Sequence, residues 1–479
     1  MKPLMYVCAA IGLLSMVTAV PAANLPADHA GANVKVLVSD TWLFKVDVDN
    51  KSSWEPYADV FGDGTFAVIG DTYPQGLASG QNYKVAFVNV DGTVKEYWAF
   101  YDDSGKPYTD SFNEVRQDGN PGRVACDRRT GGTTYVVGGE STPYDYPTFF
   151  DTDKRWEQKF VYDDRIATVE AFSKTANGPQ PLTKVIDPVY GSGTIEGAQG
   201  AQQMRFGGDI RFLSNGNILV VVEDRTKNIV TAGDGAIATI FDGKTAAVLK
   251  GPFNAAGDDA NHDIWSNVAA FKDGFAVRSE GITTIYDNAG NRKFTVAQAD
   301  WTTVKDAGRG DGVRLGSSIN SKYIYLIGVG LDGNMILTRM DATTGTADKE
   351  IVVNEDALLT DPNPFDRANV AVDDNDTVCV SYEYRPDSTQ ADAKQIVSRV
   401  FDKNMAAVTP TFYAYVTHDA SSGYISHESS VAMDTKRILI VSNGKFEDAA
   451  AKALTPAEQD FAVVFENPVK TSVSGWELF

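Results

Sequence analysis

The chain has 479 residues, 43% of them apolar and 22% charged, with 43 Lys+Arg against 64 Asp+Glu for a formal net charge of −21. At roughly 100–200 residues per domain this length suggests two to four domains, unless one repetitive domain uses most of it. The apolar content and 11% aromatics supply a packed core and exclude a disordered or collagen-like chain. The acidic balance repels phosphate backbones and anionic lipid, so sequence-independent nucleic-acid binding is excluded too.

The N-terminus reads Met1-Lys2-Pro3, then apolar from Leu4 to Val20, then Pro21-Ala22-Ala23 before Asn24. A positive start, one apolar stretch and a small-residue exit make a secretory signal over 1–22, cleaved after Ala22 or Ala23. The expected mature chain, 23–479, is exported to the periplasm, cell surface or medium. No later segment approaches about 18 continuous apolar residues, so no second span is expected. Cys8 lies in the signal. Cys126 and Cys379 sit in the apolar runs Val124-Ala125-Cys126 and Val378-Cys379-Val380, where buried free thiols are expected in non-adjacent units.

A pattern then recurs in order: an apolar-Ala pair, a polar turn, a β-rich run and an acidic or small polar end. It is seen at 58–71, 123–140, 209–224, 267–280, 316–330, 369–383 and 430–443. Each copy is followed by a second apolar run closing on an acidic or amide residue: Phe87-Val88-Asn89 with Asp91-Gly92, Phe149-Phe150-Asp151, Ile240-Phe241-Asp242, Ile285-Tyr286-Asp287, Arg339-Met340-Asp341, Val400-Phe401-Asp402 and Val464-Phe465-Glu466. Seven such pairs predict an all-β fold, a β-propeller of seven four-stranded blades with eight as the alternative. In each blade the apolar-Ala run is the innermost strand, and the β-rich run and the Asp-ending run come next. The stretch 34–48 either completes the last blade and closes the ring or belongs to an eighth. One domain then spans 23–479, with an elaborated loop near 157–206 and a short helix at 446–455.

With the repeat laid out, the chain resembles secreted bacterial β-propellers of the broad sialidase-like and BNR-like group. The Asp-box of that group is echoed in 126–135 (CDRRTGGTTY) and 61–66 (FGDGTF), and 209–225 resembles its opening strand, with Arg211-Phe212-Leu213 where the group has Arg-Ile-Pro. The group contains glycan-acting enzymes and non-catalytic binding proteins, so the resemblance implies fold before function.

The ends of the second strands and the starts of the innermost strands fall on one face of a propeller. Asp71, Glu140, Glu223, Glu280 and Glu383 occupy equivalent second-strand ends, with Gly330 and Asn443 in the other two units. Pointing inward, these carboxylates would line one channel mouth and suit a cation, an amine or sugar hydroxyls. Arg123, Arg205, Arg314, Arg367, His427 and Glu428 lie near innermost-strand starts on the same face. Converging arginines would grip the carboxylate of an acidic sugar. His262, among Asp258, Asp259 and Asp263, is a lone candidate base. No His pair has zinc spacing, and no metal site is assigned. No cofactor is expected; calcium is the one metal with oxygen-rich runs to suit it, at Asp47/Asp49 and at 373–376 (DDND), where turn chemistry explains the same residues.

The expected function is an exported, monomeric binding or surface-interaction module for a glycan or other polar extracellular ligand, with no nucleic-acid partner. The alternative is a sialidase-like glycoside hydrolase or polysaccharide lyase, which requires at least three of Arg123, Arg205, Arg211, Arg314 and Arg367 to converge beside a Glu and a Tyr.

Overall fold

A computed structural model describes residues 26–44, 54–72, 82–99, 122–141, 166–187, 191–192, 204–224, 235–255, 266–279, 281–305, 313–356, 368–384, 395–415, 426–444, 447–448, 453–454 and 459–469. Seven antiparallel sheets stand in a ring, in chain order, each with its first strand nearest the axis. Blade 1 is built from Trp54–Val60, Phe66–Thr72, Asn82–Val88 and Val94–Trp98. The innermost strands of blades 2 to 7 are Arg123–Cys126, Met204–Phe212, Asn267–Phe271, Val313–Gly316, Asn369–Val372 and Ser426–Met433. The N-terminal strand Val36–Leu43 is the outermost strand of blade 7, pairing with Gln459–Glu466 from the far end of the chain. Among the described residues there are seven blades and not eight.

Burial on both faces explains why these strands read as near-continuous apolar runs. Val378–Tyr384 and Arg437–Gly444 are buried along their whole lengths. A sheet that is apolar on both sides must be covered on both sides, and the neighbouring blade does this. The core accordingly falls into seven apolar clusters, each spanning one junction. Val136 and Val169 meet Ile210 and Phe241 between blades 2 and 3, and Tyr325 and Leu337 meet Val380 and Val397 between blades 5 and 6. The recurring alanines have a geometric cause. Ala58, Ala269, Ala371 and Ala432 lie where the seven innermost strands crowd the axis, and at Gly316 even a Cβ would lie 2.8 Å from the Val370 side chain.

The acidic ends of the third strands are turn caps. Asp242 accepts from the backbone N–H groups of Lys244 and Thr245 (2.9 and 2.8 Å), and Asp287, Asp341 and Asp402 repeat the arrangement. On the same face each junction carries a polar tie near the turns. Lys174 Nζ meets Asp63 (2.6 Å), Arg129 Nη1 donates to Asn215 O (3.2 Å), and Ser214 Oγ donates to Lys272 O. Lys272 N donates to Ser321 O (2.8 Å), Ser318 and Ser321 hydroxyls donate to Asp374 and Asp376, Asn467 Nδ2 donates to Asp373 (3.1 Å), and Arg437 donates to Gly64 O.

Three sequence expectations are corrected. The 157–206 segment is not one long loop: Ile166–Thr175 and Gly178–Asp187 lie in it and complete blade 2. The third strand of that blade is therefore Ile166–Thr175, and Phe149-Phe150-Asp151, expected in that role, lies outside the described residues. In place of a helix at 446–455, Glu447–Asp448 pairs antiparallel with Ala453–Leu454, a pairing that overrides local helix propensity. Cys126 and Cys379 are buried free thiols, as expected.

The N-terminal segment fastens two blades. Ala27 N donates to Thr411 O (2.9 Å) and Tyr413 N donates to Ala27 O (3.0 Å) on the edge of blade 6. The His29 ring lies against Phe412 and Phe465, which themselves meet edge to face at 5.4 Å. Phe465→Ala should cost about 3–5 kcal/mol through the cavity it leaves, read as a fall in the urea midpoint. Val90→Ala, at a position 64% exposed, should stay within about 0.5 kcal/mol.

Candidate functional site

Among the described residues, all seven innermost strands line one central cavity. Its space is about 70 Å³, room for a few waters at roughly 10–15 Å³ each. A carboxylate-sized group fits this space.

The two faces differ. Innermost strands connect to second strands through short turns such as 61–65, 213–217 and 272–273, whereas the strand ends on the opposite face border the longer connections 73–81, 99–122, 142–165, 225–234 and 385–394. Long connections on a rigid scaffold are where binding residues concentrate.

The polar centre of the cavity is Tyr57 of blade 1, Asp209 and Arg211 of blade 3, and Arg123 of blade 2. Arg211 Nη1 donates to Asp209 Oδ1 (2.8 Å) and Arg211 Nη2 lies 2.6 Å from Oδ2. Arg211 also donates to the Tyr57 hydroxyl, which itself lies 3.4 Å from both Asp209 oxygens. The Tyr57 ring is flanked by two cations, Arg123 Cζ at 4.7 Å and Arg211 Cζ at 5.5 Å from its centroid. Enclosure by protein pushes the Tyr57 hydroxyl above its ordinary range, Arg211 and Arg123 pull against this, and Asp209 adds to it. Burial works against the Arg211 charge, yet Asp209 and Tyr57 hold the guanidinium firmly protonated.

Asp59, two residues along the same strand, accepts from Cys126 N and Val60 N, both at 2.8 Å. Burial raises its carboxyl above the ordinary range, with Arg128 and Arg211 opposing. Burial also pushes the Cys126 thiol up, and the Asp59 charge adds to that.

Of the arginines expected at the mouth, Arg123 and Arg314 face the cavity. Arg123 is buried, and Arg314 Nη1 donates to Asn267 Oδ1 across the blade 4–5 junction (3.2 Å). Arg205 pairs with Glu223 across the first two strands of blade 3, and His427 with Asn443 in blade 7. The side chains of Arg205, Glu223, His427, Asp71 and Glu140 are outside the described set. Glu280, Arg367, His262, Asp47 and Asp49 lie outside the described residues altogether. Glu383 is buried in the second strand of blade 6 and is not among the cavity-lining residues. Second strands stand about 4.8 Å behind the innermost ones, which sets this residue back from the wall.

Tyr57, Asp59, Asp209 and Arg128 escaped the sequence reading. For the first three the signal was a polar residue inside an apolar innermost strand, as in Tyr57-Ala58-Asp59 and Asp209-Ile210-Arg211; Arg128, in the turn after Arg123–Cys126, had none. For calcium, 373–376 has turn duties: Asp373 accepts from Asn375 N and Thr377 N, both at 2.8 Å. No group of three or more His, Cys, Asp or Glu among the described residues is placed to hold a metal, and no helix among them is long and apolar enough to cross a membrane.

No family model and no curated protein matches the chain. Solved structures do match at the level of the fold. The Trypanosoma rangeli sialidase is 10% identical, with 91% of this chain and 58% of that one covered at a TM-score of 0.36. NanB sialidase from Streptococcus pneumoniae is 12% identical over 90% of this chain and 70% of that one, at 0.40. The β-propeller domain of the Trilobed protease from Pyrococcus furiosus is 8% identical over 82% and 91%, at 0.41. The chain thus spans under two thirds of the length of the Trypanosoma enzyme. It is similar to sialidase-like β-propellers at the level of the repeat.

Asp59 yields a pH test. A carboxyl whose folded pKa is raised contributes most below its unfolded value and loses that contribution as pH rises through the folded one. The stability of Asp59→Asn relative to wild type should therefore improve from about pH 4 to pH 7, measured as paired urea unfolding curves; an unchanged or opposite difference would refute this assignment.

Proposed function

We propose that this chain is an exported β-propeller acting as an extracellular binding module, and that its ligand is a glycan or similar polar molecule bearing a carboxylate. The observation that carries the reading is that guanidinium groups from three blades, Arg123, Arg211 and Arg314, face one cavity. Guanidinium forks suit the two oxygens of a carboxylate better than a hydroxyl does. The narrow cavity supports a pose in which the charged group enters while the rest of the ligand stays at the mouth.

A second reading, hydrolysis or elimination at an acidic sugar, is favoured by one observation: the Tyr57 hydroxyl sits between Arg211 and Asp209, beside Arg123. Such a hydroxyl has the acid and cationic neighbours that bond cleavage uses.

The two readings part on a glycan array probed with the mature chain and followed by turnover assays on every binder. The binding reading expects retention of acidic glycans without product. It also expects Arg123→Ala and Arg314→Ala each to weaken retention roughly tenfold or more, the scale of a lost hydrogen bond to a charged group. Release of free sugar, abolished by Tyr57→Phe, would establish the second reading. Equal retention of neutral and acidic glycans would overturn the carboxylate assignment in both.

A further inference from the structure

We infer that Arg128 is a stopper that closes the turn-side end of the central cavity and makes it a well with a single mouth. The innermost strand of blade 2 ends at Cys126, and the chain then turns, carrying Arg128 over the end of the channel. Arg128 Nη2 donates to Val372 O (3.0 Å) and to Met433 O (3.2 Å). These carbonyls end the innermost strands of blades 6 and 7, across the axis from blade 2. One side chain therefore spans the opening and is held by two blades that are not its sequence neighbours. The planar guanidinium suits this task, because one nitrogen can serve two carbonyls while the rest of the fork fills the gap.

Solutes then do not pass through the propeller. Whatever enters comes from the face with the long connections and meets a cation at the floor. This inference rests on the geometry of the turn-side end and not on the identity of the ligand.

The protein supplies its own reporter. Cys126, two residues before Arg128, borders the cavity and packs into the apolar cluster between blades 1 and 2, while Cys379, the other buried free thiol, belongs to the cluster between blades 6 and 7, away from the stopper. The rate of alkylation by iodoacetamide is measured at each thiol of the mature chain by peptide mass spectrometry, in wild type and in Arg128→Met, which keeps the stem and removes both hydrogen bonds. The expected result is Cys126 alkylation about tenfold faster or more in the variant, with Cys379 still protected. Arg128→Lys should fall between. An unchanged Cys126 rate in the folded variant would overturn the inference, and so would equal acceleration at both thiols, which would make Arg128 a general support of the fold. Should Arg128→Met not melt cooperatively, Arg128→Gln carries the same readout.

Discussion

The structure depends on one constraint: every sheet is apolar on both faces and must be covered on both. No stack of such sheets with free ends can satisfy it, because the first and last would each leave a face in water. A ring can. Seven inter-blade clusters, from Ala125 and Ile210 at one junction to Val68 and Val441 at another, are the result. The small residues at the axis and the larger ones outward follow from the same wedge geometry, since radial sheets converge inward.

That closure also divides the labour between the faces. The turn face is tied all the way round by short polar contacts and sealed across its centre by Arg128. The opposite face has ties of its own, such as Thr303 to Glu350 and Arg399 to Val353 O, and its strand ends border the long connections. Tyr57, Asp209 and Arg211 join blade 1 to blade 3 across the cavity, so the groups offered for binding also brace the ring. Removing Asp209 alone would leave the part-buried Arg211 charge without its carboxylate, a destabilising change. The site and the fold therefore share residues, and variants there need stability controls.

Much of this architecture was legible in the sequence because a blade is written locally. Alternating β-formers, an Asx turn and a small inner strand recur, and each has a short-range cause. Legibility failed where a local signal misled. Phe149-Phe150-Asp151 imitates a third strand, while the true one, Ile166–Thr175, ends on Thr175-Ala176-Asn177-Gly178, without the expected Asp. The alanine-rich 446–455 segment imitates a helix. At the site, Arg123 and Arg314 were readable as strand starts, but Glu383 was misplaced because its position along the strand says nothing of its distance from the axis. Arg128 was hidden altogether: only the ring brings a turn of blade 2 to the strand ends of blades 6 and 7.

The seam in blade 7 carries a consequence for how the molecule comes into being. Its outer strand belongs to the start of the described chain and its partner, Gln459–Glu466, to the end. Synthesis delivers these two strands at opposite times. Blades 1 to 6 can assemble as the polypeptide emerges, but the circle locks only when the last strand arrives, a pairing of the greatest sequence separation and hence of high loop-closure entropy. Until then Val36–Leu43 has no antiparallel neighbour, and the apolar flanks of blades 1 and 6 stand open. A chain built this way stays unlocked throughout its own production and becomes kinetically secure in a single late step.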